Sequence, residues 1–562
     1  MPRPDSARVL ESNMAALAHR NPALASAIRS STADPSLTFV SARDGTIVPS
    51  VQTPHGSAPL HSLYDPAGEA RKIAAGLHGA GCIVILGMGA GFAVAASLED
   101  VGVSSVLVIE KDVSILRALL EHLPLDGLLQ DPRVFVSVGL EGVRPALLAA
   151  WQPALMGGMV TAPLRPWCEK ESVFFAAATA ELRTVVNEIR ADYSVQAHFG
   201  KRWFSNMLLN MEPASSSSVD PPAVTRVSVV AAGPSLERQL GMLSATGDTD
   251  FLLASDASLP ALRRAGIQPH GVLSIDCQSF GYHHFLQGIS PHSILFLDLA
   301  SPPFLARKST TQIFAAGGHP FAAYLDAHWK RFPKMDTSGG NVTHAAVTLA
   351  HCLGAGAITV FGADFSYPEG KPYSRGTYLY DFFESSQTRL APSESRVFAF
   401  IYRTPDTRKE RTGAGFRYTT DVMLAYRDRL LRLMQDIPAD VTCVPGGGLD
   451  LDQARGTIAP RSSICGEEGW RISQPSCGWR RFLADYADKL AALTTLEPPA
   501  GSSFRALPRP EQELWGTLLP VAARVMLDSP EIPPGALALD RARQWVLSRI
   551  LRVVEEPRSP QE

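Results

Sequence analysis

"SVVAAGPSLERQL", residues 228–240, decides how this chain is read. An apolar run, Val229 to Ala232, stops at Gly233-Pro234-Ser235, and a helix-like pattern begins behind it. Glycine at a strand end lets the backbone approach a neighbour closely. Proline in the first turn of a helix lacks an N–H that would have no partner there anyway. The remaining free amides of that turn, with the Ser235 hydroxyl beside them, suit an anion. The stretch predicts a buried strand, a phosphate-facing turn and a helix.

The same alternation continues on either side. Residues 224–450 carry strand candidates at 226–232, 250–255, 271–276, 293–298, 311–316, 357–362 and 440–444, several separated by helical patterns. That order predicts an α/β, doubly wound, mainly parallel sheet, whose ligands bind beyond the C-terminal strand ends. Polar residues gather there. "FLLASDAS" ends at Ser255-Asp256, "GVLSIDCQ" at Ser274, Asp276 and Gln278, and "AITVFGADF" at Asp364. An apolar strand closing on a carboxylate marks a candidate site, because a buried charge needs a partner. Thr337-Ser338-Gly339-Gly340-Asn341 precedes a helix expected from about 343 to 353, a second anion-capable turn. The loop after Asp364 holds Tyr367, Lys371, Tyr373 and Arg375, phenols and cations able to neutralise a leaving phosphate. "YRTPDTRKERTGAGFRY" adds Arg403, Arg408, Lys409, Arg411 and Arg417, which read either as a grip on a nucleotide or carboxylate or as a solvated loop. "LDLD", with Asp450 and Asp452, is too short a pattern to identify a metal site.

Toward the N-terminus, "GCIVILGMGAGFAVAASLEDVGVSSVLVIEKD", residues 81–112, is a second strand–glycine loop–helix–strand unit. Gly87, Gly89 and Gly91 form G-x-G-x-G, and Glu110 ends the second strand where an acid would meet a ribose hydroxyl in a Rossmann domain. The spacing departs from G-x-G-x-x-G. A nucleotide loop and a glycine turn that only packs helix on sheet both remain open. The Ser/Pro run of residues 212–223 reads as a linker. The expected organisation is therefore an N-terminal α/β domain over 1–211, a central domain over 224–460 and an α-helical region over 470–562.

Composition narrows the function classes. The chain has 562 residues, 45% hydrophobic and 19% charged, with a net charge of −3. These values describe a globular protein and argue against a general nucleic-acid binder. Seven cysteines without a C-x-x-C give no zinc or disulfide framework, and Cys82 and Cys352 read as core thiols in a reducing compartment. The first residues lack a signal-peptide core, and no window offers ~18 uninterrupted apolar residues. The expectation is a cytoplasmic protein with no membrane span.

"AAGPSLE", "ASDAS…LRRAGIQPHGVLSID" and "TSGGNVTHAAVTLAHCLGAGAITVFGADFSYPEGKPY" together resemble the central domain of the motility-associated factor (Maf) glycosyltransferases. The similarity is most specific over 224–378. The same signature occurs in archaeal 6-hydroxymethylpterin diphosphokinases and is distantly similar to bacterial sialyltransferases that use CMP donors. The resemblance implies transfer of a sialic-acid-like (nonulosonic) sugar from a CMP donor to Ser/Thr of a flagellin-type protein, with no cofactor or metal required. It implies that Gly233, Pro234, Ser235, Asp256, Asp276, Ser338, Gly339 and Gly340 bind the donor. Tyr367 and Tyr373 would hold the departing phosphate, with Asp364 beside them in the catalytic group. Two positions depart from the sialyltransferase pattern. Ala232 replaces an asparagine, and no histidine follows His351 where the catalytic one is expected. Asp364, Asp381, Glu384 and His319 are the alternative bases. Two other functions stay open. One is ATP-dependent diphosphoryl transfer to a pterin alcohol, with Asp256, Asp276 and Asp364 holding Mg²⁺. The other is a non-catalytic flagellin-binding protein.

Overall fold

The computed structural model describes residues 6–53, 56–217, 222–246, 250–309, 311–413, 415–451 and 472–555. The chain divides into two compact units, one of residues 1–200 with 489–547 and one of residues 201–488 with 548–562.

The first unit contains a four-stranded parallel sheet in the order Val134–Val138, Ser105–Glu110, Ala80–Leu86, Gly158–Pro163. Its two central strands are apolar and buried along almost their whole length, as expected for strands covered on both faces. A separate antiparallel sheet joins Leu37–Ser41, Ile47–Thr53 and Gly56–Pro59. The helix Pro66–Ala75 opens with Asp65 accepting from the Gly68 amide and with proline in its first turn.

The second unit is built on a seven-stranded, all-parallel sheet: β1 (Arg226–Val230), β2 (Phe251–Ser255), β3 (Gly271–Ser274), β4 (Ile294–Asp298), β5 (Gln312–Ala315), β6 (Ala357–Phe361) and β7 (Asp440–Cys443). The spatial order is β5-β4-β3-β2-β1-β6-β7. All seven strands lie where the sequence places them. The direction of winding reverses between β1 and β6, and a crevice opens there in a doubly wound sheet. Val227, Val229, Leu253, Leu273 and Val360 bury one face against the helices Val342–Cys352 and Asp421–Asp436. A small antiparallel sheet of Tyr367–Pro368, Gly415–Thr419 and Arg408–Thr412 stands beyond β6.

Three details differ from the sequence reading. The helix Ser172–Ser216 runs through the start of the stretch read as a linker. The Lys330 ammonium supports its end, donating at 2.6 Å each to the carbonyls of Ala214 in the last turn and Ser217 just beyond it. The C-terminal helices form no unit of their own, because residues 489–547 belong to the first unit and 548–562 to the second. Amphipathic helices need a face to bury against, and sequence periodicity does not say which. Cys352, read as a core thiol, is disulfide-bonded. No helix among the described residues is long and apolar enough to cross a membrane.

Candidate functional site

The loops after β1, β6 and β7 meet at Ser235. Its N–H donates to Asp364 Oδ2 at 2.8 Å, its hydroxyl donates to Asp364 Oδ1 at 2.5 Å, and its Oγ accepts from the Gly447 amide at 2.8 Å. Glycine is required around this junction. A Cβ on Gly233 would stand 2.4 Å from Asp364 Oδ2, one on Gly446 would be 2.2 Å from Ser235 Oγ, and one on Gly448 would be 2.3 Å from the Asp364 carbonyl. Ser235 and Asp364 are only 3% and 4% exposed. The anion seat before the helix Leu236–Thr246 is therefore filled from within, by the Asp364 carboxylate. Burial pushes that carboxyl above the usual range despite the bonds from Ser235. Asp364, expected to be catalytic, braces two loops, and Ser235, expected to face the donor, turns inward with the buried Pro234. Sequence showed both groups but not that they would hydrogen-bond to each other.

The open chemistry lies beyond β2, β3 and β6. Asp256 closes β2 in a 3-10 turn, accepting from Ser274 Oγ at 2.6 Å and the Ala257 amide at 2.7 Å. Asp276 follows β3, opens to solvent and accepts from the Gln278 amide at 2.9 Å. Desolvation by the surrounding walls, and then the charge of Asp256, raise its carboxyl above the ordinary value. Two phenols, Tyr373 and Tyr378, feel the charges of these acids, and Tyr367 lies beside Tyr373. Burial lifts the hydroxyls of Tyr367, Tyr373 and Tyr378 above their ordinary range. The charges of Asp256 and Asp276 add to that rise at Tyr373 and Tyr378, and the Arg403 cation opposes it at all three. Raised phenols stay protonated and serve as O–H donors. Phe400 is their platform: its ring lies 6.3 Å from those of Tyr367 and Tyr373 and carries the Arg403 guanidinium at 3.9 Å. Arg403 alone of the basic cluster is placed by its contacts at the phenols. Arg408 pairs with Asp421, Arg417 pairs with Glu410 at 2.9 Å, and Lys409 lies over Phe416.

The second anion-capable turn sits near the same cation. Asn341 caps the helix Val342–Cys352, accepting from the His344 amide at 3.0 Å. Ser338 and Gly340 are exposed, while Gly339 is buried where a Cβ would meet the His344 ring at 2.1 Å. Gly340, at φ +72°, passes the Tyr426 ring, and the Tyr426 hydroxyl feels both Arg429 and Arg403.

Sequence reasoning missed the short 3-10 segment Ser279–Phe285. It brings His283 and His284 to Tyr378, the first stacked at 5.5 Å and the second edge-on at 4.7 Å. The available signal was two adjacent histidines directly after an acidic strand end.

The other candidate bases lie elsewhere. His319 is half-buried, its Nδ1 accepts from the Phe321 amide at 3.0 Å, and desolvation lowers its imidazole to about 3. Asp381 pairs with Arg264 at 2.6 Å, and with Glu384 it lines a cavity of about 640 Å³ that none of Tyr367, Tyr373 and Tyr378 lines. Asp256, Asp276 and Asp364 do not assemble into an ion site: no group of three or more His, Cys, Asp or Glu among the described residues is placed to hold a metal. Asp452 lies outside the described residues.

The N-terminal glycine loop, in the first unit, is occupied by the protein itself. Glu110 is fully buried and accepts from the Met88 amide at 3.0 Å, the Lys111 amide at 2.9 Å and Trp167 Nε1 at 2.8 Å. The Ala90 amide donates to His61 Nε2 at 2.9 Å. A Cβ would meet Trp167 at 2.6 Å from Gly87, His61 at 2.3 Å from Gly89 and Leu128 at 2.7 Å from Gly91. The acid read as a ribose ligand instead holds the loop closed, and the glycines admit the protein's own side chains.

Residues 201–370 match the family described as 6-hydroxymethylpterin diphosphokinase MptE-like. Three uncharacterized proteins of Treponema pallidum (strain Nichols) are 42%, 31% and 29% identical over 115, 139 and 154 residues, or 20%, 24% and 25% of this chain. The matches span 40%, 64% and 39% of those relatives' own lengths, less than two thirds of each. Among solved structures, the Maf glycosyltransferase from Magnetospirillum magneticum AMB-1 aligns over 98% of this chain and 91% of its own, with a TM-score of 0.57 and 13% identity. The MptE-like domain is thus present, and the fold is the one that the sequence resemblance implies.

Proposed function

We propose that the protein is a glycosyltransferase that moves a nonulosonic sugar from a CMP donor to a serine or threonine hydroxyl of a flagellin-type polypeptide. One observation carries the reading: two phenols held protonated and one arginine share the Phe400 platform at the carboxyl end of the parallel sheet. In this reading the bond between the anomeric carbon and the phosphate oxygen breaks, and negative charge grows on CMP. Tyr367 and Tyr373 donate hydrogen bonds to that phosphate and Arg403 offsets its charge, in a recess where such donors act strongly. Asp256, already fixed by Ser274, accepts from the nucleoside, and the Ser338–Gly340 turn lies on the donor's flank. The acceptor is taken from the resemblance, and work in the cytoplasm without nucleic acid from the sequence composition and charge.

The diphosphokinase alternative has less support, because its three acids do not gather. A thermal-shift comparison of CMP with ATP plus Mg²⁺ separates the two. A ligand at ~100 times its dissociation constant adds ~2.7 kcal/mol. Stabilisation by CMP that Tyr367→Phe/Tyr373→Phe weakens is the expected result. Stabilisation by ATP and Mg²⁺ alone overturns the transferase, and none with any nucleotide leaves the flagellin-binding reading.

A further inference from the structure

A transfer to a hydroxyl needs a group to take the hydroxyl's proton, and this chain has no histidine after His351. The four alternatives are engaged elsewhere: Asp364 with Ser235, His319 as a helix cap, Asp381 with Arg264, and Glu384 in the separate cavity. We propose that His284, delivered from the strand end after β3, is the general base for the acceptor hydroxyl, with Asp276 as its counter-charge. The inference rests on the transferase reading above.

Three observations support it. His284 meets Tyr378 edge-on at 4.7 Å, inside the group of phenols and acids. Its Nδ1 is buried and has no hydrogen-bond partner among the described residues, although a buried polar atom of this kind is normally satisfied. Asp276 and His284 interact electrostatically. The segment Ser279–Phe285 packs on the turn Asp256–Ser258 and on the helix Leu259–Arg264, so the other charges nearby can be named. Asp256 is held by Ser274 and the Ala257 amide. Arg263 donates to the carbonyls of Gln287 and Gly288, and Arg264 pairs with Asp381 from the helix Tyr378–Ser385. His283 lies flat on Tyr378.

The step balances without another reactant. The acceptor oxygen gives its proton to the His284 imidazole and forms a bond to the anomeric carbon. The bond from that carbon to the CMP phosphate breaks, and its electron pair leaves on the phosphate. Asp276 offsets the imidazolium until the proton returns to water.

The test is CMP release from CMP-N-acetylneuraminic acid by the full chain, with a serine/threonine peptide as acceptor and rates measured across pH. His284→Gln should lower kcat by ~10²- to 10⁴-fold, leave KM and the CMP-induced melting shift in place, and abolish the acid limb of the kcat profile. Asp276→Asn should lower kcat less and keep that limb. If His284→Gln melts below wild type, His284→Ala with added imidazole decides, restored release supporting the proposal and no restoration overturning it. Wild-type rates in His284→Gln, or loss of the limb in Asp276→Asn alone, overturn the base assignment but leave the transferase. A wild-type protein that releases no CMP removes the transferase reading and this inference with it.

Discussion

Ser235→Ala tests whether the first glycine turn of the central sheet faces a ligand or closes on its own carboxylate. The substitution removes the hydroxyl bond to Asp364 Oδ1 and the acceptor for the Gly447 amide, and leaves the backbone amides of Ser235 and Gly448 on that carboxylate. A hydrogen bond to a charged group contributes ~1.5–3 kcal/mol, and the half-buried Gly447 amide can recover its loss from water. With ~2–4 °C per kcal/mol for a domain of this order of size, the melting temperature of the second unit should fall by roughly 3–12 °C. The pH dependence gives a second check. Burial already raises the Asp364 carboxyl, so its ionisation weakens the fold as pH rises through that titration. The Ser235 bond favours the ionised form. Its loss raises the carboxyl further, so the penalty is largest above the titration and shrinks as pH falls through it. The assay is thermal unfolding across pH, with hydrogen exchange of the peptides holding residues 233–238 and 445–449. A variant that melts like wild type but loses CMP-induced stabilisation would refute the reasoning, because Ser235 would then meet the nucleotide.

Tyr373→Phe removes one phosphate donor without emptying the recess and should lower CMP release by ~10²-fold, with melting unchanged; wild-type release would remove Tyr373 from the reaction. Gly89→Ala forces a φ of +54° on alanine and puts its Cβ 2.3 Å from His61 Nε2, so the first unit should lose more than ~1 kcal/mol. Glu110→Gln should change no response to NAD or S-adenosylmethionine, whereas a wild-type shift that this variant abolishes would restore the nucleotide-loop reading. Lys330 is lowered to about 8 by burial, so between that pH and the ~10.4 of a free lysine the unfolded chain holds the extra proton and stability rises with pH. Melting of wild type minus that of Lys330→Met should climb over this interval, and a flat difference would show the ammonium to be solvated.

The sequence by itself determined the strands and the direction in which they are read. Alternation of short apolar runs with helical patterns placed all seven strands of the central sheet, because burial on both faces leaves a continuous apolar signature. It also placed the polar residues at the strand ends, since a carboxylate after such a run is visible in one dimension. It placed a helix behind the Thr337–Asn341 turn as well, within a residue of where the structure begins it. What it could not rank was which polar groups would face one another. Asp364 and Ser235 are 129 residues apart and Glu110 and Trp167 are 57 apart, yet each acid accepts a hydrogen bond from that distant partner. Arg403 stood open between a ligand grip and a solvated loop, and His284 lay in an unremarked segment, until the chain brought them beside Phe400 and Tyr378. Local pattern follows from the period of helix and strand, which neighbouring residues set. The pairing of buried charges follows from which strand ends lie side by side, and only the closed sheet decides that.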